Sequence, residues 1–383
     1  MHPKSYTIQG DTLIVDSFAD KIDYWTSEGF RDDIRHLELK DGIRKIPAGS
    51  FNYFRSLETI RWPAGLKEIG DMAFEDCSAL RELVLPEGVI KLGTAAFQEA
   101  VSVRRVVIPA SLTELGDLAL YFGDGSHLLQ IDVSPDNPVF SSVDGVLYDK
   151  AQKKLLLYPS ARRKPEICVP ESVTAIGDGA FAHSHYLHRI KLPLGLTELE
   201  SSVFSFCTQL EELEIPENVR VIPSYAFFCC KSLKKLVLPS RADALGYESI
   251  CNCDSLTEVL LPEGISCIDY AAVGGNRRLK ELVVPEGVTE LNNSAFIDDT
   301  ALERISLPST LGQIWDRAFE RCVSLKEIVI PENVDYIEDE AFLGCTGLKR
   351  VILKTKHIRS DRFLPDELRG KVEIIREKTR HSE

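Results

Sequence analysis

Apolar positions along this chain recur in a fixed order that neither a helix nor a single strand would keep. One unit runs over residues 80–102, LRELVLPEGVIKLGTAAFQEAVS. Its opening, Leu80-x-x-Leu83-x-Leu85, alternates and predicts a short strand that turns Leu83 and Leu85 inward. Pro86 then removes an N–H and ends the pairing. Pro-Glu-Gly makes a turn in which Gly88 is free to take positive φ. A second extended piece, Val89-x-x-Leu92-Gly93, leads to Ala96-Phe97, which predicts a closing helical or 3₁₀ turn. The closing position is Phe at 51, 74, 97, 181, 204, 227, 296, 319 and 342, and Leu120, Ile250 and Val273 fill it elsewhere.

Proline gives the period. Pro170, Pro193, Pro216, Pro239, Pro262, Pro285, Pro308 and Pro331 stand 23 residues apart, and Pro63, Pro86 and Pro109 keep the same step. A fixed period between about 20 and 50 residues marks a solenoid, in which each unit buries its apolar face only against its neighbours. The pattern predicts a β-rich α/β solenoid of about 12 stacked coils with a parallel sheet, short helical or 3₁₀ turns, and one inserted β-hairpin. The hairpin falls where the period breaks, between Pro109 and Pro170. There Leu128, Ile131 and Val133 form a displaced strand, and Asp144-Gly145 sits between strand-like runs. The segment 124–161 is expected to project as a flap.

The ends need caps, because terminal coils would expose core. Residues 1–35 offer a hairpin, YTIQ-GD-TLIV, with Trp25 and Phe30 available to cover the first coil. The coils occupy 36–354. Residues 355–383 supply Phe363, Leu364 and the run Val372-Glu373-Ile374-Ile375, and end in a charged tail, 376–383, expected to be disordered.

Composition excludes several classes. Hydrophobic residues make up 44% of 383, ample for a continuous core, and the net charge is −14. A chain of that sign gains nothing from phosphate counterion release and is not drawn to anionic membranes, so neither nucleic acid nor membrane insertion is expected. No stretch approaches the length of a membrane span. The N-terminus lacks the basic and apolar regions of a signal peptide, and the last residues carry no lipidation signal. A cytoplasmic location is the expectation, with a secreted or surface protein as the alternative if a leader has been removed.

The coil L-x-x-I-x-L-P-x-x-V-x-x-I-G-x-x-A-F-x-x-C resembles that of the BspA-like leucine-rich repeat proteins. The likeness covers about residues 5–355 and includes the N-terminal hairpin pattern and the NPVFSSVDGVLY…LLLYP insertion. It implies a leucine-rich-repeat solenoid. It also implies an adhesion or interaction role, often at a surface.

Most residues that suggest chemistry inherit their spacing from the repeat. Cys77, Cys207, Cys230, Cys253, Cys322 and Cys345 stand three residues after a closing position. They read as small buried thiols, with stapling across coils as the alternative. Cys229-Cys230 and Cys251-x-Cys253 do not have zinc spacing. The cluster His183, His185, His188 spans a turn and a strand start, so its rings need not converge. Glu87, Glu171, Glu217, Glu263, Glu286 and Glu332 form a gapped acidic column read as a solvated turn face, not a calcium site. No catalytic, cofactor-binding or metal-binding residue is assigned, and no cofactor is expected.

Two rows on the outward strand face say more. Arg189, Glu212, Lys235, Glu258, Glu281, Arg304, Glu327 and Arg350 alternate in sign except at the Glu258–Glu281 step, which predicts a ladder of weak ion pairs. Two positions on, Val237, Leu260, Val283, Ser306, Val329 and Ile352 form a nearly continuous aliphatic row, with Val84 and Val107 near the other end. Aliphatics suit any pleated surface, yet an exposed row rimmed by charge also fits a docking strip. The expected function is therefore a non-enzymatic scaffold for a protein partner, through the sheet face at Val237, Leu260, Val283, Val329, Ile352, Val84 and Val107 or through the 124–161 flap. A cell-surface adhesin or host-matrix binder is the alternative. An enzyme or carbohydrate-binding module using the His183–His188 region or the flap is a third reading.

Overall fold

A computed structural model describes residues 6–18 and 31–376. The chain is the β-solenoid that the repeat predicts, with about 15 turns where the repeat count gives about 12, and falls into two compact units, residues 1–162 and 163–383. Most coils give one strand to a main parallel ladder and a two-residue strand to a second.

In the first unit the hairpin Tyr6–Gln9/Thr12–Val15 is antiparallel, and its second strand pairs in parallel with His36–Leu39. The cap is thus itself the first rung. Phe18 packs edge-on against Phe51, ring centroids 5.9 Å apart, and covers the first coil. Trp25 and Phe30 lie outside the described residues. In the second unit the main ladder runs from Glu166–Cys168 to Glu258–Val259, resumes over Glu281–Val283 and Arg304–Ser306, and ends with Glu327–Ile330, Arg350–Leu353 and Glu373–Arg376. The predicted terminal strand is therefore the last rung, and Phe363 packs 6.1 Å from Phe342 beneath it. Arg376 belongs to that rung, whereas 377–383 lie outside the described residues.

The closing turns are not helical. The one 3₁₀ helix among the described residues is Arg31–Asp33. Most closing turns instead take left-handed φ two residues before and two after their apolar centre: Ser202 (φ 56°) and Phe206 (φ 57°) flank Phe204, and Arg317 (58°) and Arg321 (58°) flank Phe319. The alternation swings every second N–H along the stacking direction. Ser202, Phe204 and Phe206 donate to the carbonyls of Ser224, Ala226 and Phe228 at 2.9, 3.0 and 2.7 Å. A helical turn would spend those donors within its own coil, so the coil-to-coil ladder wins.

The core is one column of each residue type. The closing phenylalanines are fully buried and stack, Phe74 on Phe97 at 5.2 Å and 2°, Phe319 on Phe342 at 5.2 Å and 4°. Each such ring contributes about 1.5–3 kcal/mol by burial.

The inserted segment does not project. Gln130–Val133 extends the first unit's ladder beside Arg105–Ile108, and the Ile131 N–H donates to the Gly145 carbonyl at 3.0 Å, which ties the segment down. Phe140–Val143 and Val146–Asp149 form a hairpin around Asp144 (φ 46°) and Gly145 (φ 71°), the two positive φ values of a type I′ turn. Lys154–Leu157 adds a third strand, antiparallel to Val146–Asp149. Leu147, Tyr148 and Leu155 are buried, and Asn137 donates to the carbonyls of Pro109 and Leu112 at 2.7 and 2.8 Å. Apolar side chains on both hairpin faces make a free flap costly, which is why it lies down.

Candidate partner-binding face

The main strands alternate as predicted. Leu236 and Leu282 are buried, while on the outward face Val237 is 38% exposed, Leu260 74% and Val283 66%, on three consecutive coils. Val329 and Ile352 continue the row half-buried and paired in register, and Ser306, opposite Val283, interrupts it. In the first unit, exposed Val84 pairs with half-buried Val107. Two open depressions lie on the second unit's face. One of about 1030 Å³ is floored by Val283, Ser306 and Val329 and edged by Glu286, Arg304 and Lys354. The other, about 540 Å³, includes Val237 between Arg189 and Lys235.

The charge row pairs at several of the steps where its signs alternate. Arg304 binds Glu281, Arg350 binds Glu327 at 2.6 Å, and Arg189 bridges Glu166 (3.4 Å) and Glu212 (3.0 Å). Beside the row, Lys234 donates to Glu211 at 2.9 Å, and that bond, with His188, holds the Glu211 carboxyl below the usual range. Glu258 and Glu281 are the exception, and the hydrogen-bonded ladder stops between their strands. Like charges facing each other oppose pairing, although the ladder also stops between Arg304–Ser306 and Glu327–Ile330, where the charges are opposite. Leu260 and Val283, the most exposed members of the aliphatic row, flank this break.

The other columns are structural. Every cysteine of the predicted column is buried and free, and its thiol donates to the closing residue's carbonyl one coil back: Cys207 to Phe181 and Cys230 to Phe204 at 3.1 Å, Cys345 to Phe319 at 2.9 Å. Burial pushes the Cys207 and Cys345 thiols up to about 12, which suppresses thiolate chemistry. Asn276 in the coil closed by Val273 and Asp299 in the coil closed by Phe296 occupy the same column. Asn276 donates to the carbonyls of Ile250 (3.0 Å) and Val273 (2.8 Å) and accepts from the Cys253 N–H, while its own N–H bonds Asp299 at 2.7 Å. Burial raises the Asp299 carboxyl well above its usual range.

The three histidines do not converge. His183 stacks on Phe206 at 4.7 Å and meets His185 edge-on at 5.9 Å, His185 reaches the Thr208 hydroxyl at 3.0 Å, and His188 turns to Glu211. The acidic column does more than face solvent. Glu217 accepts from the Ser240 N–H and hydroxyl, and Glu286 from those of Ser309, so these carboxylates cap the next coil's turn. One surface feature escapes the sequence reading: Tyr225, Tyr247 and Tyr270 stand side by side on the closing-turn surface. The one-period step from Tyr247 to Tyr270 is its only signal.

Among the described residues no helix is long and apolar enough to cross a membrane. A family model described as BspA type leucine rich repeat region matches residues 17–134, 163–277 and 274–369, in six copies. A leucine-rich repeat protein from Eubacterium ventriosum is similar in structure, with 24% identity, a TM-score of 0.64, and 87% of this chain and 90% of that one covered. The pneumococcal vaccine antigen PcpA is similar at 19% identity and a TM-score of 0.55, covering 99% of this chain and 98% of that one. At these identities the likeness shows the fold. Comparison with curated proteins gave no match.

Proposed function

The chain belongs to the BspA-type leucine-rich repeat family, and from that premise we propose that it is a non-enzymatic scaffold whose sheet face in residues 163–383 receives a protein partner. The observation that carries this reading is the exposure of Val237, Leu260 and Val283 on consecutive coils. Exposed aliphatics at the centre with ion pairs at the rim reproduce the anatomy of a protein interface. Three such side chains are too few for a full interface of about 800 Å² per partner, so they act as its centre and the flanking charges as its edge.

The test is V237E/L260E/V283E. Cross-linked capture from native cells should lose its specific partner with this variant while circular dichroism and thermal unfolding stay those of the wild type. Undiminished capture by the folded variant defeats the proposal.

A second reading, a surface adhesin, draws support from the family and from the likeness to PcpA, a pneumococcal vaccine antigen. It requires export. Protease shaving of intact native cells should release fragments of this chain, and a pool protected until lysis rules the reading out.

A further inference from the structure

The closing-turn surface of the second unit carries a continuous strip of rings. Phe206 meets Phe228 at 5.3 Å, Phe228 meets Tyr225 at 5.8 Å, Tyr225 meets Tyr247 at 6.0 Å, and Tyr247 stacks on Tyr270 at 4.6 Å and 15°. Tyr225 is 36% exposed and Tyr247 39%, and the other three are half-buried. The rings lie on turns, away from the sheet face.

Carboxylates accompany them. Glu248 follows Tyr247, and after burial and the two neighbouring tyrosines, Glu248 and Asp269 raise the Tyr247 hydroxyl further. Among the described residues Glu248 makes no ion pair, and burial alone raises its carboxyl above the usual range. Its place in the coil explains the isolation. Two residues before the closing centre, coil after coil, stand Tyr225, Glu248, Ala271, Ser294, Arg317 and Glu340. Arg317 and Glu340 pair at 2.9 Å, but neither Tyr225 nor Ala271 can neutralise Glu248. The Tyr336 hydroxyl, by contrast, bonds Glu338 within its own coil at 2.7 Å.

We propose that the strip of Phe206, Phe228, Tyr225, Tyr247 and Tyr270, with Glu248 and Asp269, docks a lysine- or arginine-bearing segment of a protein partner. Tyrosine and phenylalanine faces attract cations, and the apolar stems of these side chains lie well along rings. Glu248 supplies the counter-charge that the fold withholds. The chain's net charge of −14 favours the same partner at long range.

The probe is a fluorescent decapeptide of alternating arginine and glycine, titrated by anisotropy at two salt concentrations. The wild type should bind it, more weakly at high salt, and should ignore the glutamate counterpart. Y247A and E248Q should each weaken binding about tenfold, whereas E303Q, remote from the strip, and V237E/L260E/V283E should not. Thermal unfolding of each variant establishes that it is folded. Equal binding by the wild type, Y247A and E248Q reduces the effect to net charge and overturns the proposal. So does binding of soluble oligosaccharides in place of the peptide, or self-association of the wild type that Y247A abolishes.

Discussion

The coils closed by Phe181, Phe204 and Phe227 differ from those closed by Ile250 and Val273 in how they meet the same requirement. The first group stacks phenylalanines at 5.6 Å inside and thiols onto carbonyls behind them. The second has no ring at its centre, and the thiol column, still present at Cys253, gives way to Asn276 in the Val273 coil and to Asp299 in the Phe296 coil that follows. Its core is held by an amide that makes three hydrogen bonds, and the sheet ladder is interrupted between the Val273 coil and the next, at Glu258 and Glu281. These coils carry the exposed Val237 and Leu260 on one side and Tyr247 and Tyr270 on another. A repeat protein can thus relax its internal rules over two coils, provided that polar satisfaction replaces apolar stacking.

The sharpest way to break this comparison is to empty the regular stack. Phe204→Ala removes a fully buried ring that touches two others, and should cost about 3–5 kcal/mol in urea unfolding. Val273→Ala, one of the ringless centres, should cost no more than about half of that. Equal losses would mean that the irregular coils are packed as tightly as the regular ones.

Removing the amide probes the other side. Asn276→Ala leaves the Ile250 and Val273 carbonyls and the Cys253 N–H without a side-chain partner in a fully buried place. A cost of about 2–4 kcal/mol follows, since each buried unpaired group costs about 1–3 kcal/mol and water can reclaim part of it. Cys230→Ala, which removes one weak donor from the regular column, should cost about 1 kcal/mol.

Asp299 makes the comparison depend on pH. Its carboxyl is raised in the fold, mainly by burial and further by Asp298, so the folded protein holds a proton that the unfolded chain releases. The group's contribution is complete below the ordinary aspartate range and falls as pH rises toward the folded value. Urea midpoints should therefore decline as pH rises above the ordinary aspartate range, by an amount that Asp299→Asn abolishes. An asparagine would repeat the arrangement of Asn276, accepting from its N–H and placing an amide donor where the second carboxyl oxygen has no hydrogen-bond partner. It should stabilise the protein by about 1 kcal/mol near neutral pH. A variant with the same pH slope would place the proton elsewhere.

Much of this is legible because the period is strict. A residue one period from a core position takes the same place in the next coil, so the sequence puts Leu83, Phe97 and Cys230 inside, and Val237, Leu260 and Val283 outside. The position of Asp299 in the cysteine column is equally visible. Backbone conformation is not. Ala-Phe followed by polar residues favours a helical closing turn locally, and bulky residues such as Tyr225, Glu248 and Arg317 carry no mark of left-handed φ. The demand comes from the neighbouring coil's carbonyls, which no single coil contains. The aromatic strip escapes for a related reason: Phe206 to Phe228 and Tyr225 to Tyr247 are 22-residue steps, which a search at 23 passes over. The inserted segment reads as a flap because its turn chemistry is local, while its burial depends on the coils beneath.

The left-handed positions allow the finest test. A non-glycine residue there costs roughly 1–2 kcal/mol relative to ordinary backbone, which glycine avoids at an entropic cost of about 0.5–1 kcal/mol. Ser202 (φ 56°) is half-buried in the regular region, and its small polar side chain contributes little to the apolar core. Ser202→Gly should therefore raise stability by up to about 1 kcal/mol, seen as a higher urea midpoint with an unchanged slope. Ala271 (φ 47°) is the matching position in an irregular coil, but it is buried, and losing its methyl forfeits about as much as the strain relief returns. Ala271→Gly should be close to neutral. If both substitutions destabilise by similar amounts, the left-handed turns are not strained in either region, and the coil-to-coil ladder imposes no local cost. If only Ser202→Gly stabilises, the ladder is what holds these residues in place, and the relaxed coils obey it as strictly as the regular ones.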